Sequence, residues 1–216
     1  MGKQKHVLFV QGAGAGAHAE DAELAAGLGE ALGPEFEIHY PELPNEAAPE
    51  DAVWQARIGE ELATLGAGAL LVGHSAGGAA LLMVLATSRP APKPAGVFLI
   101  AVPFCGPGGW DCGDVVLPPD LGTRLPHRVP LFLYHGRDDA VVPFAHVDLY
   151  AQALPQAVVR HLVGRDHQLN GDLSEVASDV RRLRRAPRDA APPAVPIGPP
   201  ACCAGRQPRP AAAHAP

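Results

Sequence analysis

Residues 70–86 read LLVGHSAGGAALLMVLA, and this stretch decides the fold. An apolar run ends at Gly73, small residues surround Ser75, and a second apolar run of helical length follows. The pattern G-x-S-x-G between a strand and a helix predicts a sharp turn, because its small residues let the two elements approach closely. We expect Ser75 to lie at the apex in a strained conformation, with its hydroxyl held out and the Ala76 amide aimed beside it.

Short β-rich runs alternate with helical stretches along the rest of the chain. Strands are predicted at 6–10, 36–40, 69–72, 96–102, 131–134 and 157–162. Helices are predicted near 18–32, 50–65, 76–87, 144–153 and 172–184, the last beginning at the cap candidate Asp172. Continuously apolar strands indicate a parallel sheet that is covered on both faces. The sequence therefore predicts an α/β fold with a mostly parallel sheet of about six strands, helices on both faces and a minimal cap, with functional residues just after the strands.

Composition divides the chain into a folded unit, residues 1–185, and a tail, residues 186–216. With 47% hydrophobic residues, the 216-residue chain can bury a core for one domain. The tail has nine prolines and no aromatic residue, so it cannot bury enough apolar surface to offset the entropy of ordering it. We predict that the tail is disordered.

Charge and hydropathy exclude several classes of partner. The formal net charge is −6, and the arginines within 181–185 are typical of a solvated helix end, so no nucleic-acid binding is predicted. No apolar stretch approaches the about 20 residues of a membrane span. Gln11 and three glycines interrupt the first apolar run, which argues against a signal peptide. We expect a cytoplasmic protein without membrane contact.

The four cysteines form no metal-binding pattern. Cys105, Cys112, Cys202 and Cys203 include no C-x-x-C pair and no histidine at ligand spacing, so no metal site is predicted. Reduced thiols are expected in the cytoplasm. A disulfide between Cys105 and Cys112, closing one loop, stays open as the alternative.

A serine nucleophile needs a base, and the base needs an orienting acid. Residues 131–144, LFLYHGRDDAVVPF, place Asp138 and Asp139 after the fifth predicted strand. Residues 161–170, HLVGRDHQLN, place His167 after the sixth. The order serine, aspartate, histidine, each at a strand end, predicts a catalytic triad. The other histidines that compete for this role fit structural or solvated positions better, namely His74, His135, His146 and His161.

These motifs resemble the α/β-hydrolase superfamily, specifically its small, lid-poor bacterial serine hydrolases of the carboxylesterase type. The resemblance rests on GHSAGG, HGRDDAVVPF and the segment that begins DHQLN, and it covers nearly all of residues 5–184. The family pattern H-G-x-x-D-x-x-V-P implies that Asp139 is the acid and that Asp138 occupies a variable place. Glycine often precedes the family's histidine, whereas this chain has Asp166, a departure that concerns the geometry of the loop.

The glycine run FVQGAGAGAH, residues 9–18, admits two interpretations. Alone, Gly12, Gly14 and Ala17 fit a dinucleotide-binding fingerprint, with Glu42 available for the ribose. In an α/β-hydrolase, however, the loop after the first parallel strand supplies the second amide of the oxyanion hole. The resemblance therefore implies that the Ala13 amide joins the Ala76 amide as a donor, and that Gly12 and Gly14 border the substrate.

The resemblance implies hydrolysis of a small-molecule ester or thioester through an acyl-serine, with no metal or organic cofactor. In the long connection at 103–130, Phe104 and Trp110 either line an acyl pocket or cover the sheet edge. Two other functions stay open. One is a non-catalytic binding protein on the same fold, and the other is an acyltransferase or perhydrolase with the same triad.

Overall fold

The protein is built on one six-stranded parallel sheet. The computed structural model describes residues 4–87, 93–112 and 116–183, and the predicted tail lies outside them. The strands are β1 (Lys5–Val10), β2 (Phe36–His39), β3 (Leu70–His74), β4 (Gly96–Ile100), β5 (Leu131–Gly136) and β6 (Val158–Leu162). They are ordered β2-β1-β3-β4-β5-β6, and every neighbouring pair is parallel. The predicted α/β architecture is confirmed.

Helices connect the strands. They are α1 (Ala17–Leu32), α2 (Asp51–Leu65), α3 (Ser75–Thr87), α4 (Leu121–Arg124), α5 (Ala145–Ala153) and α6 (Ser174–Leu183). The single turn α4 was not predicted, because it interrupts the irregular connection between β4 and β5. Helix α6 begins two residues later than expected, since the Asp172 carboxylate accepts the Ser174 amide ahead of the first turn. No helix among the described residues is long and apolar enough to cross a membrane.

Both faces of the sheet are buried at its central strands, which explains why those strands are largely apolar. In β1, Val7 and Phe9 pack with α1 and α6, whereas Leu8 and Val10 pack with α2 and α3. All four side chains are at most 1% exposed. The two faces of β1 thus contribute to two cores, whereas Glu37 and His39 on the edge strand β2 belong to neither.

A buried ion pair fixes α6 to the sheet. Asp179 is 3% exposed and accepts hydrogen bonds from Tyr134 Oη and from Nε and Nη2 of Arg160, all at 3.0 Å. Tyr134 lies on β5 and Arg160 on β6, so the carboxylate ties both strands to the helix. The loop that carries His167 runs between β6 and α6, the two elements that Arg160 and Asp179 join.

A disulfide closes the loop after β4. Cys105 and Cys112 are bonded, with their Cα atoms 5.5 Å apart. The expectation of reduced thiols is wrong for this pair. A tight turn brings them together, because the Trp110 amide donates to the Phe104 carbonyl at 2.8 Å and the Gly106 amide donates to the Trp110 carbonyl at 3.1 Å. The other two cysteines lie outside the described residues.

Candidate active site

Ser75 lies at the apex of the turn between β3 and α3. Its φ of 48° falls in the left-handed region, which is costly for a residue with a side chain. Glycines permit the turn: a Cβ on Gly77 would overlap the carbonyl oxygen of Gln11, and one on Gly73 would lie 2.6 Å from the Cα of Gly78. The side chain of Ser75 is half-buried. The local sequence thus forces the serine out of the sheet at the start of a helix, as the motif predicts.

The loop after β1 faces this turn. Gly12 lies against the turn between β3 and α3, called the elbow below, since a Cβ there would approach Ser75 Cβ to 3.2 Å. The Gly12 amide donates to Asp21 at 2.7 Å, and the Gly14 amide donates to the Glu46 carbonyl at 2.8 Å. Among the backbone hydrogen bonds of the described residues, the amide of the exposed Ala13 takes part in none. Of the three amides, that of Ala13 is therefore the one without a described hydrogen-bond partner.

The N-terminus of α1 is already occupied by a carboxylate of the chain. Glu46 accepts the Gly16 amide at 2.8 Å and the His18 amide at 2.6 Å, and its Oε2 also accepts from Gln11 Nε2 at 2.9 Å. These hydrogen bonds, that of the His18 amide foremost, lower the pKa of Glu46. A pyrophosphate in a dinucleotide site would need the same amides. The geometry therefore argues against the dinucleotide interpretation of the glycine run.

Asp139 and His167 meet where β5 and β6 end. Asp139 Oδ2 lies 2.9 Å from His167 Nδ1, and its side chain is fully buried, whereas the His167 side chain is 13% exposed. Asp138 is exposed. The structure therefore brings the second aspartate of the pair, and not the first, to the imidazole.

Asp139 is held by three further partners. Its Oδ1 accepts the amides of Val141 and Val142, each at 2.8 Å, and its Oδ2 lies 3.1 Å from His135 Nε2. Burial alone would raise the pKa of Asp139, but the hydrogen bonds from His135, His167 and Val142 outweigh it and hold the pKa below its ordinary value. The carboxylate is therefore ionised at neutral pH and can orient an imidazole.

The loop that carries His167 is closed by a reciprocal pair. Asp166 Oδ1 accepts the Asn170 amide at 2.7 Å, and Asn170 Oδ1 accepts the Asp166 amide at 2.9 Å. Asn170 adopts a positive φ of 56°, which asparagine tolerates. Gly136 has no side chain because a Cβ there would overlap the carbonyl oxygen of Arg165. Asp166, where the resembled family often has glycine, thus acts as an internal cap of the loop.

A buried polar cluster behind the elbow joins three loops. Asp21 and His74 are each 1% exposed, and Asp21 Oδ2 lies 2.8 Å from His74 Nδ1. His74 Nε2 donates to the carbonyl of His167 at 3.1 Å, and Asp21 Oδ1 accepts from Gln168 Nε2 at 3.1 Å. Since Asp21 also binds the Gly12 amide, one carboxylate connects the loop after β1, the turn at Ser75 and the loop that carries His167.

Burial would raise the pKa of Asp21, but hydrogen bonding and charge from His74, with the Gly12 amide, lower it overall. Sequence reasoning missed this aspartate, because it occupies a helix position that reads as solvated. His74 is buried and hydrogen-bonded on both ring nitrogens, in keeping with the structural position expected for it.

His167 packs against His74, the residue that precedes Ser75. The imidazoles of His74 and His167 are 4.8 Å apart between centroids, and Ser75 directly follows His74. Within the described residues, no hydrogen bond joins Ser75 Oγ to His167. In structures without substrate such contacts are often long and tighten only when substrate binds.

Phe104 and Trp110 pack towards α5. The Phe104 ring meets Tyr150 edge-on at 5.1 Å, and Trp110, which is 38% exposed, meets His146 at 5.3 Å. The Phe104 amide donates to His146 Nδ1 at 2.8 Å. Burial first, and then the charge of His135, lower the pKa of His146, in keeping with a neutral ring that accepts this bond. Both contacts place the two aromatic residues over α5.

No protein-family model matches the sequence, and no curated protein matches it. Several solved structures, in contrast, are similar to the chain. The chain is similar to the esterase domain of a Rhodothermus marinus protein, with 21% identity, coverage of 82% of this chain and 86% of that one, and a TM-score of 0.57. It is also similar to a 2-hydroxy-6-oxo-6-phenylhexa-2,4-dienoate hydrolase from a Rhodococcus species, with 19% identity, coverage of 85% and 91%, and a TM-score of 0.65.

A third similar structure is the bromoperoxidase from Bacillus anthracis, with 15% identity, coverage of 86% and 93%, and a TM-score of 0.61. Each likeness extends over most of both chains, so it concerns the whole sheet with its helices. The protein has the α/β-hydrolase fold, as its motifs predict.

Proposed function

We propose that the protein is a serine hydrolase that cleaves small carboxylic esters or thioesters through an acyl-serine intermediate. The observation that carries the proposal is the 2.9 Å contact between Asp139 and His167, whose ring lies 4.8 Å from that of His74, the residue before a serine held at positive φ. A buried, ionised acid paired with a partly exposed imidazole is the arrangement that a general base requires. Similarity to solved esterases and hydrolases of this fold supports the same reaction class.

Each proposed step uses groups of this chain. His167, with Nδ1 bound to Asp139, accepts the hydroxyl proton of Ser75 on Nε2 while Oγ attacks the acyl carbonyl. The amides of Ala13 and Ala76 stabilise the oxyanion. Protonated His167 returns the proton to the leaving group, and water, activated by the same base, releases the acid and restores Ser75. No metal or organic cofactor takes part in these steps.

An open site supports a small substrate. In the described part of the connection between β4 and β5, the only helix is the four-residue α4, too short for a lid over the site. The disulfide-closed loop packs on α5, and Trp110 keeps 38% of its surface exposed. Phe104 and Trp110 border the acyl group in this proposal, together with Gly12 and Gly14.

Turnover of an acyl-length series tests the proposal. p-Nitrophenyl acetate, butyrate, octanoate and laurate are compared with the matching thioesters on the wild type and on Ser75→Ala. Ser174→Ala is the matched control, because Ser174 is exposed at the start of α6. We expect hydrolysis of the short esters by the wild type and the control, and none above background by Ser75→Ala. Equal turnover by Ser75→Ala would refute the proposal.

A second candidate differs only in the acceptor of the acyl group. The similarity to a bromoperoxidase favours testing peroxide alongside water, because the acyl-serine chemistry is common to both reactions. The product ratio with water, an alcohol and hydrogen peroxide as competitors separates hydrolase from acyltransferase or perhydrolase. A folded protein without any acyl-serine would instead be a binding protein on this fold.

The predicted cytoplasmic location can be tested through the disulfide. Disulfides persist in oxidising compartments and are reduced in the cytoplasm of most organisms. Alkylation of rapidly quenched cells, followed by mass spectrometry of the peptide carrying Cys105, measures its redox state. Free thiols in the cell would support a cytoplasmic protein, and a bonded pair would contradict it.

A further inference from the structure

Three potential metal ligands converge at the edge of the sheet, away from the triad. His6 on β1 and Glu37 and His39 on the edge strand β2 present one ligand atom each within 4.8 Å of one another. His6 Nδ1 lies 2.9 Å from His39 Nε2 and 3.3 Å from Glu37 Oε2, and His39 Nε2 lies 3.9 Å from the same oxygen. Two imidazoles and one carboxylate therefore surround a single point.

The strand register brings these groups together. His6 is paired with Glu37, and Leu8 with His39, so the three side chains emerge on one face of neighbouring strands. Phe36 and Ile38, which alternate with them, pack into the opposite core. The cluster side chains are 27–45% exposed, which leaves a path for an ion from solvent.

The spacing fits a first-row divalent ion. A point in the plane of the three atoms and equidistant from them lies about 2.0 Å from each, and zinc binds imidazole nitrogen and carboxylate oxygen at about 2.0–2.2 Å. A hydrogen bond between the two rings would explain the shortest distance alone. It would not explain why the carboxylate points at the same two nitrogens.

The neighbouring cation does not compete for this carboxylate. Lys5 bonds Glu35 at 2.6 Å and lies 4.6 Å above the Phe36 ring, on the other side of the strand. Two imidazoles suit zinc, copper or nickel, whereas calcium and magnesium prefer sites made of oxygen atoms.

We propose that His6, Glu37 and His39 form a binding site for a divalent transition-metal ion of the zinc class, with the fourth position open to water. The site is separate from the triad. Gln11, where the loop after β1 begins, is five positions beyond His6, or roughly 16 Å at 3.3 Å per residue. The ion joins the edge strand to its neighbour and therefore stabilises the sheet edge without entering the reaction.

Calorimetric titration of the untagged full-length chain with zinc chloride tests the site. The parent carries Cys202→Ser and Cys203→Ser, because two adjacent thiols would bind zinc themselves. In this parent, His6→Gln, Glu37→Gln and His39→Gln are compared with His161→Gln. His161 is the matched control, since it lies on the opposite edge strand β6, 3.6 Å from Asp148, and among the described residues it belongs to no group of three ligands.

We expect one zinc ion per chain in the parent and in His161→Gln. Loss of either histidine should weaken binding at least about 100-fold, since even outer partners of a metal ligand are worth 10–100-fold in affinity. Zinc at about 100 times Kd should raise Tm by about 5 °C or more in the parent and not in His39→Gln. Magnesium should do neither. Ester hydrolysis should be the same in all variants, which would show that they are folded.

Two results would overturn the proposal. One is zinc binding of equal affinity in all variants, which would place the ion elsewhere. The other is no stoichiometric binding to the parent at 100 µM zinc, which would mean that the cluster is a hydrogen-bonded pair of histidines beside a carboxylate.

Discussion

The amide of Gly12 donates a 2.7 Å hydrogen bond to the carboxylate of Asp21, which is buried beneath the proposed oxyanion loop. The same carboxylate lies 2.8 Å from His74, whose other nitrogen binds the carbonyl of His167. The Asp21 side chain on α1 thus positions both the loop after β1 and the loop that carries His167. This arrangement makes Asp21 a positioning residue of the site.

Asp21→Asn should lower kcat at least about tenfold and the free energy of unfolding by about 1–3 kcal/mol, because buried donors lose the carboxylate that accepts from them. An amide cannot accept from Gly12, His74 and Gln168 in the same way, since its nitrogen only donates. The kinetics of short-ester hydrolysis and urea unfolding measure the two effects. Glu23→Gln, an exposed change on the same helix, serves as control. An unchanged kcat in folded Asp21→Asn would contradict the positioning role.

Asp139→Asn should lower kcat by about 10⁴-fold, the scale expected when the base loses its orienting acid. Asp138→Asn should change kcat less than about threefold, because its exposed side chain makes no described contact with His167. Steady-state kinetics on one activated ester compares the two variants directly. Equal losses would show that the acid has been assigned wrongly.

The contribution of Asp139 to stability should depend on pH. Its folded-state pKa lies below the ordinary value of 3.8, so its stabilising contribution is complete above that value and is lost as pH falls towards the folded pKa. The difference in unfolding free energy between wild type and Asp139→Asn should therefore be largest near pH 6–7 and shrink below about pH 4. Denaturant unfolding at several pH values measures it. A difference that grows in acid would contradict this account.

Gly77→Ala should destabilise the protein by about 2–4 kcal/mol, the scale of a severe steric change in a packed core, and abolish ester turnover. The new methyl group would overlap the Gln11 carbonyl and push the oxyanion loop away from Ser75. Gly59→Ala is the matched control, because nothing lies within 4 Å of a Cβ there and alanine favours the helix by up to about 1 kcal/mol. Thermal unfolding and turnover of the two variants distinguish close packing from a general effect of removing a helical glycine.

The sheet, its helices and the elbow could be predicted because their signals are local. Each buried strand is a short apolar run, and the glycines around Ser75 report a close approach within one turn. The placement of Ser75, Asp139 and His167 after successive strands could also be predicted, because the carboxyl ends of parallel strands lie at one edge of the sheet. The family resemblance also favoured Asp139 over Asp138, and Asp139 is the one whose carboxylate lies 2.9 Å from His167.

The supporting residues could not be predicted, because they act across the chain. Asp21 meets His74 from 53 residues away, and Glu46 caps a helix that starts about 30 residues earlier. In the sequence alone, Asp21 and Glu46 are indistinguishable from solvent-exposed acids. The Cys105 to Cys112 bond likewise depends on the turn that Trp110 closes, which the loop sequence does not specify.

The central claim is that Ser75 is an activated nucleophile, and covalent labelling tests it most directly because it needs no knowledge of the substrate. The intact mass of the protein is measured after treatment with a fluorophosphonate, beside Ser75→Ala and Asp139→Asn. The account predicts one adduct per chain on the wild type, much slower labelling of Asp139→Asn, and none on Ser75→Ala. A folded wild type without adduct, or an adduct that persists in Ser75→Ala, would contradict it.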